Sequence, residues 1–256
     1  EIYQCDWSSD VCSSDLNLAT RLFIVIGFGA SVATTGLLVY TYNMTKNDTY
    51  HQLERESDSI YNFLMAARRV GQKQFLDSGI ELTDKTVGFL PAHSLPRVSE
   101  EFSKNWDHRG IVIRTSSDRP RNPRNIVNNY EQLAMDWFRE NDRSDNKNSK
   151  YIVRGAKKFF YARPIWVVKS CLKCHGARED APTTIRERYS EAYDYEIGEL
   201  RGVVSISTPT EEISGSIIKS FLPRFGILFG SFLLVIFLVN QMVQKFIVHS
   251  NQNRDD

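Results

Sequence analysis

The chain has 256 residues and carries 32 Lys and Arg against 31 Asp and Glu, a formal net charge of +1. This balance excludes the strong positive field that draws proteins to nucleic acid. The length suffices for one or two domains, and the hydrophobic residues, 41% of the total, are concentrated in two apolar runs that flank a polar central segment.

The N-terminal segment differs in composition from everything after it. Residues 1–16 contain no Met, Lys or Arg, but they contain Cys5 and Cys12. A cytoplasmic leader in front of a membrane anchor usually carries positive charge. We therefore expect residues 1–16 to be a non-native leader and assign its two cysteines no role.

The first apolar run covers residues 22–42 and contains no charged residue. At about 1.5 Å per residue, it is long enough to cross a hydrocarbon layer of about 30 Å. A cleaved signal peptide would have a shorter apolar region and a small-residue cleavage site near its end. Residues 17–42 are therefore predicted to form an uncleaved transmembrane helix.

Helical periodicity continues from the membrane through residues 43–76, where apolar residues share one stripe and charged residues lie elsewhere. The stripe comprises Leu53, Ile60, Phe63, Leu64 and Ala67. Its spacing approximates a heptad repeat over about three turns, which predicts a parallel homodimer through this helix. The alternative is that the stripe packs on the sheet of its own domain.

The central segment mixes strand and helix patterns. Helices are predicted at 95–105, 130–140 and 210–220, and strands at 110–116, 151–154, 158–168 and 201–207. Thr208 and Pro209 are expected to open the last helix as its capping residue and first residue. The fold class is α+β, a small antiparallel sheet with flanking helices, held between two membrane helices.

The strand at 158–168 leads directly to Cys171-Leu172-Lys173-Cys174-His175. Two thiols three positions apart, followed by a histidine, form the attachment pattern of a c-type haem. Each thiol adds to one vinyl group as a thioether, and the adjacent imidazole becomes the proximal iron ligand. The motif therefore predicts one covalent haem c on Cys171 and Cys174, with His175 on the iron.

Two other interpretations of this motif remain open. A structural zinc site would need four ligands, whereas the remaining cysteines, Cys5 and Cys12, lie beyond the first span. A thioredoxin-like redox pair is the second alternative, but it leaves the adjacent His175 unexplained.

A second apolar run at residues 225–243 predicts another span, entered at Pro223. Residues 43–222 would then form one extramembrane domain, followed by the span at 223–243 and a cytoplasmic tail at 244–256. Because covalent haem attachment belongs to the extracytoplasmic side of bacterial membranes, the domain is expected in the periplasm, anchored in the inner membrane.

Several segments, in order, resemble the periplasmic c-type-haem sensor domains with a PAS-like fold that occur at the N-termini of bacterial histidine kinases and chemoreceptors. The similarity covers about residues 44–220. It is carried by the Asn-Pro-x-Asn turn at 122–125, the Ala-x-Pro at 162–164, the Cys-Leu-x-Cys-His-Gly motif and the Gly-rich strand from Gly198.

The resemblance implies a five-stranded PAS-like sheet that cups one haem, with sensing as the role. The implied partners are the lipid bilayer and an output module, namely a histidine kinase, a cyclic-di-nucleotide enzyme or a chemoreceptor. No signature of such a module follows Val243 in this chain.

Other residues are candidates for contacts to the haem. Arg119, Arg121 and Arg124 lie in a Pro-containing loop and are candidates to pair with the propionates, although for any one of them a solvated, extended loop is the commoner explanation. For the distal iron ligand the candidates are Met65, His93, His108 and Met135. Among these residues His93 is favoured, because Pro91 and Pro96 stiffen its apolar surroundings; the alternative is an open or water-bound distal position.

Three functions are consistent with this pattern. The first is a membrane sensor that couples ligand or redox state at the iron to both membrane helices. The second is a membrane-anchored electron-transfer cytochrome, for which one tether would suffice. The third, a haem enzyme such as a peroxidase, would need a distal acid–base set that the sequence does not provide, so we expect no enzymatic activity.

Overall fold

The computed structural model describes residues 18–105, 110–141, 149–155 and 157–252. These residues divide into two compact units. One unit is Asn47–Ile217, and the other comprises the described residues up to Lys46 and from Ile218 onward.

Secondary structure follows the α+β pattern predicted from the sequence. The helices are α1 (Leu18–Asp77), α2 (Pro91–Asn105), α3 (Asn129–Asn141), α4 (Leu172–His175), α5 (Thr183–Arg188) and α6 (Thr210–Gln252). The strands are β1 (Val112–Ser116), β2 (Tyr151–Arg154), β3 (Lys158–Trp166) and β4 (Leu200–Pro209).

The four strands form one antiparallel sheet in the order β1-β4-β3-β2. The neighbouring strands β2 and β3 form a hairpin, with Tyr151 opposite Ala162. β4 comes from far along the chain and inserts between β1 and β3, pairing Ser116 with Val203 and Ile165 with Gly202. The resemblance implied five strands, whereas the described residues contain four.

Alternation along β3 builds a core on each face of the sheet. Phe159 and Tyr161 belong to one core, and Phe160 and Ala162 belong to the other. Each is at most 1% exposed, and burial of one Phe side chain is worth about 1.5–3 kcal/mol. Helix α1 covers the first face, and α3 covers the second through Met135 and Phe138.

The α1 stripe proposed for dimerisation is divided in the structure. Leu64 is buried in the first core, and Leu53 and Ile60 pack against that core. Phe63 is 72% exposed, and Ala67 is also exposed. Most of the stripe is therefore used by the domain's own sheet, and the homodimer stays a prediction.

A charged cluster also fixes α1 to the sheet. The Asp58 carboxylate accepts hydrogen bonds from the Tyr161 hydroxyl and, at 3.1 Å, from Arg163 Nη1, both on β3. Lys150 Nζ lies 3.3 Å from the same carboxylate and also pairs with Glu54. Burial alone would raise the pKa of Asp58, but the hydrogen bonds from Tyr161 and Lys150 leave that pKa lowered.

Two helix starts differ from the sequence prediction. Helix α2 begins at Pro91 rather than at residue 95, because proline is well suited to the first helical position, where no N–H bond is lost. His93 therefore lies in the first turn of α2. Thr208 and Pro209 end strand β4, and α6 begins at Thr210.

Among the residues that the structure describes, two helices are long and apolar enough to cross a membrane, judged by length and composition. They are the helices that contain the two predicted spans, α1 and α6. Within their unit, Arg224 Nη1 donates to Thr45 Oγ1 at 2.7 Å, and the Tyr42 and Phe221 rings meet edge to face at 5.7 Å.

Candidate functional site

One cavity of about 620 Å³ gathers residues that are distant in sequence. Six of the candidate site residues line it: His93, Arg119, Arg121, Cys171, Cys174 and His175. Apolar side chains form much of its remaining wall, including Leu76, Leu90, Leu95, Ile165, Val167 and Ile185.

The Cys-x-x-Cys-His motif forms a compact turn after β3. Residues Lys169–Cys171 make a single 3₁₀ turn, and α4 follows immediately. At Gly176 an added Cβ would lie 2.7 Å from the Leu172 carbonyl oxygen, so the close chain reversal here requires glycine. Both thiols are half-buried and are not joined in a disulfide.

His175 is held in one orientation by two contacts. Its Nδ1 lies 2.8 Å from the Ala192 carbonyl oxygen. Because a carbonyl can only accept, Nδ1 carries the proton and Nε2 keeps its lone pair. The Tyr195 ring stacks on the imidazole at 4.7 Å with 12° between the planes.

Electrostatics keep His175 neutral. Burial, followed by the nearby Arg121 guanidinium, lowers the pKa of His175 to about 4. At neutral pH the residue is therefore an uncharged imidazole with a free nitrogen, the form that binds metal ions.

Arg121 connects the loop of residues 117–125 to the segment after the motif. Its guanidinium donates to the carbonyl oxygens of Cys174, Ala192 (3.0 Å) and Glu191 (3.2 Å). It also lies over the Tyr193 ring at 4.7 Å. Arg121 was predicted to bind a propionate; that role stays a prediction, and the contacts seen here are to backbone carbonyls.

The other arginines of the same loop are placed differently. Arg119 lines the cavity and pairs with Glu199 at 3.3 Å. Arg124 is exposed and lines a separate cavity of about 470 Å³. The structure therefore does not bring Arg124 to the motif.

Among the candidates for the distal ligand, His93 lines the cavity. Its Nε2 is hydrogen-bonded to the Tyr189 hydroxyl at 3.1 Å, and its pKa is lowered by burial and then by Arg188 and Arg97. Met65 packs against the first core and Met135 is fully buried in the second, and neither lines the cavity. His108 lies outside the described residues.

Sequence analysis missed several polar residues of the cavity wall. Arg68 and Gln72 come from α1, Arg201 from β4 and Tyr195 from the loop before it. The complete set of basic lining residues is Arg68, Arg119, Arg121, Lys173, Arg188 and Arg201. Over the described parts of the chain, no Asp or Glu lines the cavity, but Glu199 pairs with Arg119 and Arg201, and Asp84 pairs with Arg188, from outside its wall.

The structure also bears on the two alternative uses of the motif. Within the described residues, no three His, Cys, Asp or Glu side chains are placed to hold a metal ion together; Cys5 and Cys12 lie outside those residues. Burial raises the pKa of the Cys174 thiol, whereas redox-active Cys-x-x-Cys pairs have a lowered pKa.

Comparison with known proteins gives one family. No curated protein matches the chain. A solved structure, that of the cyanobacterial heme-protein Tll0287, aligns with a TM-score of 0.47 and 23% sequence identity, covering 60% of this chain and 95% of the other. The model of the Tll0287-like family matches residues 46–209, which is more than half of the 256 residues and lies within the range of the resemblance described above. The chain belongs to the Tll0287-like family.

Proposed function

We propose that the domain at residues 47–217 holds one covalent haem c and that the chain is a membrane-anchored sensor that signals the state of this haem. The observation that carries the proposal is the setting of the Cys-x-x-Cys-His turn. Both thiols and the imidazole line one cavity, and the hydrogen bond of His175 Nδ1 to Ala192 leaves Nε2 available for a metal.

The cavity suits a haem in size and in chemistry. Its volume of about 620 Å³ falls within the range of about 300–1,000 Å³ that is usual for cofactor sites. Its apolar wall suits a porphyrin face, and its basic residues suit two propionates. When bound, the haem supplies a redox centre and a coordination position for a small ligand.

Within this proposal each residue of the site has its own role. Cys171 and Cys174 hold the cofactor as thioethers, and His175 coordinates the iron. Ala192 and Tyr195 orient the imidazole. Arg121 keeps the loop of Ala192 beside the motif through its bonds to Cys174 and Ala192.

The sensing part of the proposal is supported by helix α1. Arg68, Gln72 and Leu76 of this helix line the cavity. A change of ligand or redox state inside the cavity therefore acts directly on α1, and a ligand shifts a protein's conformation only through such differential contacts. We propose that the chain is anchored in a bacterial inner membrane and that its haem domain lies in the periplasm.

Covalent haem is tested by producing the full chain in a bacterial host that matures c-type cytochromes. We expect a haem stain that survives denaturing electrophoresis, and the double variant Cys171→Ser/Cys174→Ser should lose it. Ser170→Ala, at an exposed cavity residue between β3 and the motif, is the matched control and should keep the stain. Protein that binds zinc stoichiometrically and takes up no haem would refute the assignment.

Sensing is separated from electron transfer by hydrogen exchange on the loaded full chain in lipid nanodiscs. A sensor should change the exchange of the α1 segment at residues 60–77 by several-fold between the reduced and oxidised forms, or on addition of a gaseous ligand. An electron carrier should show reversible reduction with no change in this segment, and that result would favour the cytochrome alternative.

A further inference from the structure

Tyr195, which stacks on the His175 imidazole, also contacts a buried arginine. The centroids of the Tyr195 and His175 rings are 4.7 Å apart, with 12° between the planes. The guanidinium carbon of Arg201 lies over the same Tyr195 ring, 4.2 Å from its centroid. A cation over an aromatic face is attracted by the electrons of the ring, and the attraction is stronger where water is excluded. One aromatic ring therefore connects a cation to the imidazole.

Arg201 lies in a protected position on the sheet. It is near the start of β4, where the pairing of β3 with β4 passes from Gly202 to Leu200 and leaves Arg201 out of the register. Irregular pairing of this kind is common beside functional sites. The Arg201 side chain is only 8% exposed, so water and salt screen its charge weakly.

Glu199 supplies a counter-charge to this arginine. Its Oε1 lies 2.9 Å from Arg201 Nη2 and 3.3 Å from Arg119 Nη2. The carboxylate is one-third exposed and precedes β4, two residues before Arg201. A positive and a negative charge of opposite effect therefore lie side by side next to the Tyr195 ring.

The segment that presents Tyr195 has a constrained backbone. Ala192 and Asp194 have φ of +64° and +58°, a left-handed conformation that is unfavourable for residues with a side chain. The Tyr195 N–H donates to the His175 carbonyl oxygen at 3.0 Å. Such conformations persist where surrounding contacts hold them, and they are concentrated at functional sites. The Tyr195 ring is therefore held against the imidazole by its own backbone as well as by the cation.

We propose that Tyr195 and Arg201 are positioning residues for His175, and that the opposed charges of Arg201 and Glu199 set the reduction potential of the cofactor bound there. The first part concerns the chain alone: Arg201 holds the Tyr195 ring, and the ring fixes the plane of the imidazole. The second part rests on the proposed function. A buried cation near the iron ligand disfavours the oxidised, more positive iron, whereas a carboxylate favours it.

The positioning part is tested by NMR of the haem-free full chain carrying Cys171→Ser/Cys174→Ser, with labelled histidine, in detergent. An aromatic ring shields protons that lie against its face. The ring-proton signals of His175 should therefore move downfield in Tyr195→Leu, which removes the ring, and stay near their original position in Tyr195→Phe, which keeps it. Arg201→Gln should move them in the same direction by a smaller amount, because the ring is then held less firmly.

The charge part is tested by the reduction potential of the haem-loaded full chain at neutral pH. Arg201→Gln should lower the ratio of reduced to oxidised protein about tenfold at a given ambient potential, which is about 59 mV for one electron. Glu199→Gln should shift the potential in the opposite direction. Lys169→Gln is the matched control, because it removes an exposed cation from the 3₁₀ turn before the motif, and it should shift the potential by less than about a third as much.

Opposite shifts in Arg201→Gln and Glu199→Gln support the proposal, because damage to the packing alone has no reason to change sign with the charge removed. Glu199→Gln, which keeps the size of the side chain, also provides the second variant if Arg201→Gln does not fold. The proposal is overturned if the two variants shift the potential in the same direction, if neither shifts it, or if Lys169→Gln shifts it as far as they do.

It is equally overturned if the His175 signals are the same in Tyr195→Leu as in the chain that keeps Tyr195, or if Tyr195→Phe moves them as far as Tyr195→Leu. If the unmodified chain takes up no haem, the proposed function fails, and the NMR measurement alone then decides whether Tyr195 and Arg201 position His175. The two proposals can therefore fail independently.

Discussion

His175 and His93 line the same cavity but are held in different ways. His175 is bonded to Ala192, stacked on Tyr195 and close to an arginine that ties the same loop in place. His93 has one side-chain hydrogen bond, to Tyr189, and its ring lies 6.2 Å from the Tyr189 ring. The contacts of His175 fix its imidazole in one tautomer and one direction. Those of His93 are fewer, so replacing its ring should change the free energy of unfolding only a little.

The largest expected effect comes from removing the arginine that supports the His175 side. Arg121→Gln should lower the free energy of unfolding by about 3–4 kcal/mol, because three backbone carbonyls lose a charged donor. Urea unfolding of the haem-free full chain in detergent measures this. Arg124→Gln, an exposed neighbour, should change stability by less than about 0.5 kcal/mol; equal effects of the two variants would contradict the structure.

The next effect is a dependence of stability on pH that originates at His175. The folded state lowers the pKa of His175 from 6.5 to about 4, so between these values the unfolded chain binds more protons. The free energy of unfolding of the haem-free protein should therefore fall by up to about 3 kcal/mol as the pH drops from 6.5 to 4. His93 contributes in the same direction, because burial lowers its pKa as well.

His175→Gln should remove most of this pH dependence. His51→Gln, at an exposed histidine of α1, is the control and should leave it unchanged. A stability that stays flat between pH 6.5 and 4 in the unsubstituted haem-free protein would show that the imidazole is not buried as described.

A smaller effect is expected on the His93 side. Tyr189→Phe removes the hydrogen bond to His93 Nε2 and should cost about 1 kcal/mol in urea unfolding. In the haem-loaded protein, the absorption and magnetic spectra of His93→Ala test whether this residue binds the iron. If the low-spin signature of the unsubstituted protein persists in the variant, His93 is not the distal ligand.

The smallest effect concerns the backbone that presents the acceptor to His175. Ala192 has φ of +64°, a left-handed conformation that costs a residue with a side chain about 1–2 kcal/mol. Ala192→Gly should relieve this strain, offset in part by the greater freedom of glycine in the unfolded chain, and raise stability by about 0.5 kcal/mol. Differential scanning calorimetry detects this as a small rise in Tm, and a marked loss of stability would contradict the assigned conformation.

Much of the fold could be predicted from sequence because its signals are local. Strand patterns at residues 151–154 and 158–168, and the helical period of residues 130–140, correspond to β2, β3 and α3 within two residues. The gathering of His93 and the motif in one cavity agrees with the ligand role favoured for His93, without testing it.

The rest of the site could not be predicted, because it depends on tertiary geometry. Arg201 lies at the start of an ordinary strand pattern. No neighbouring residue in the sequence indicates the irregular pairing of β4 with β3 beside which Arg201 lines the cavity. Arg68 lies among the charged residues of α1, a position that is usually solvated. Arg121 was placed at the site by sequence, but its contacts to carbonyls 53 to 71 positions away follow only from the folded loop.

The bonds from Asp58 to Tyr161 and Arg163 have a mechanical consequence for α1. Together with the packing of Leu53, Ile60 and Leu64 on the first core, they hold the helix to the sheet over about three turns. Arg68, at the cavity, lies ten residues or about 15 Å from Asp58 along the helix. Because α1 is held over this stretch, a push on Arg68 is resisted by the sheet as well as by the helix, and the two should shift as one body.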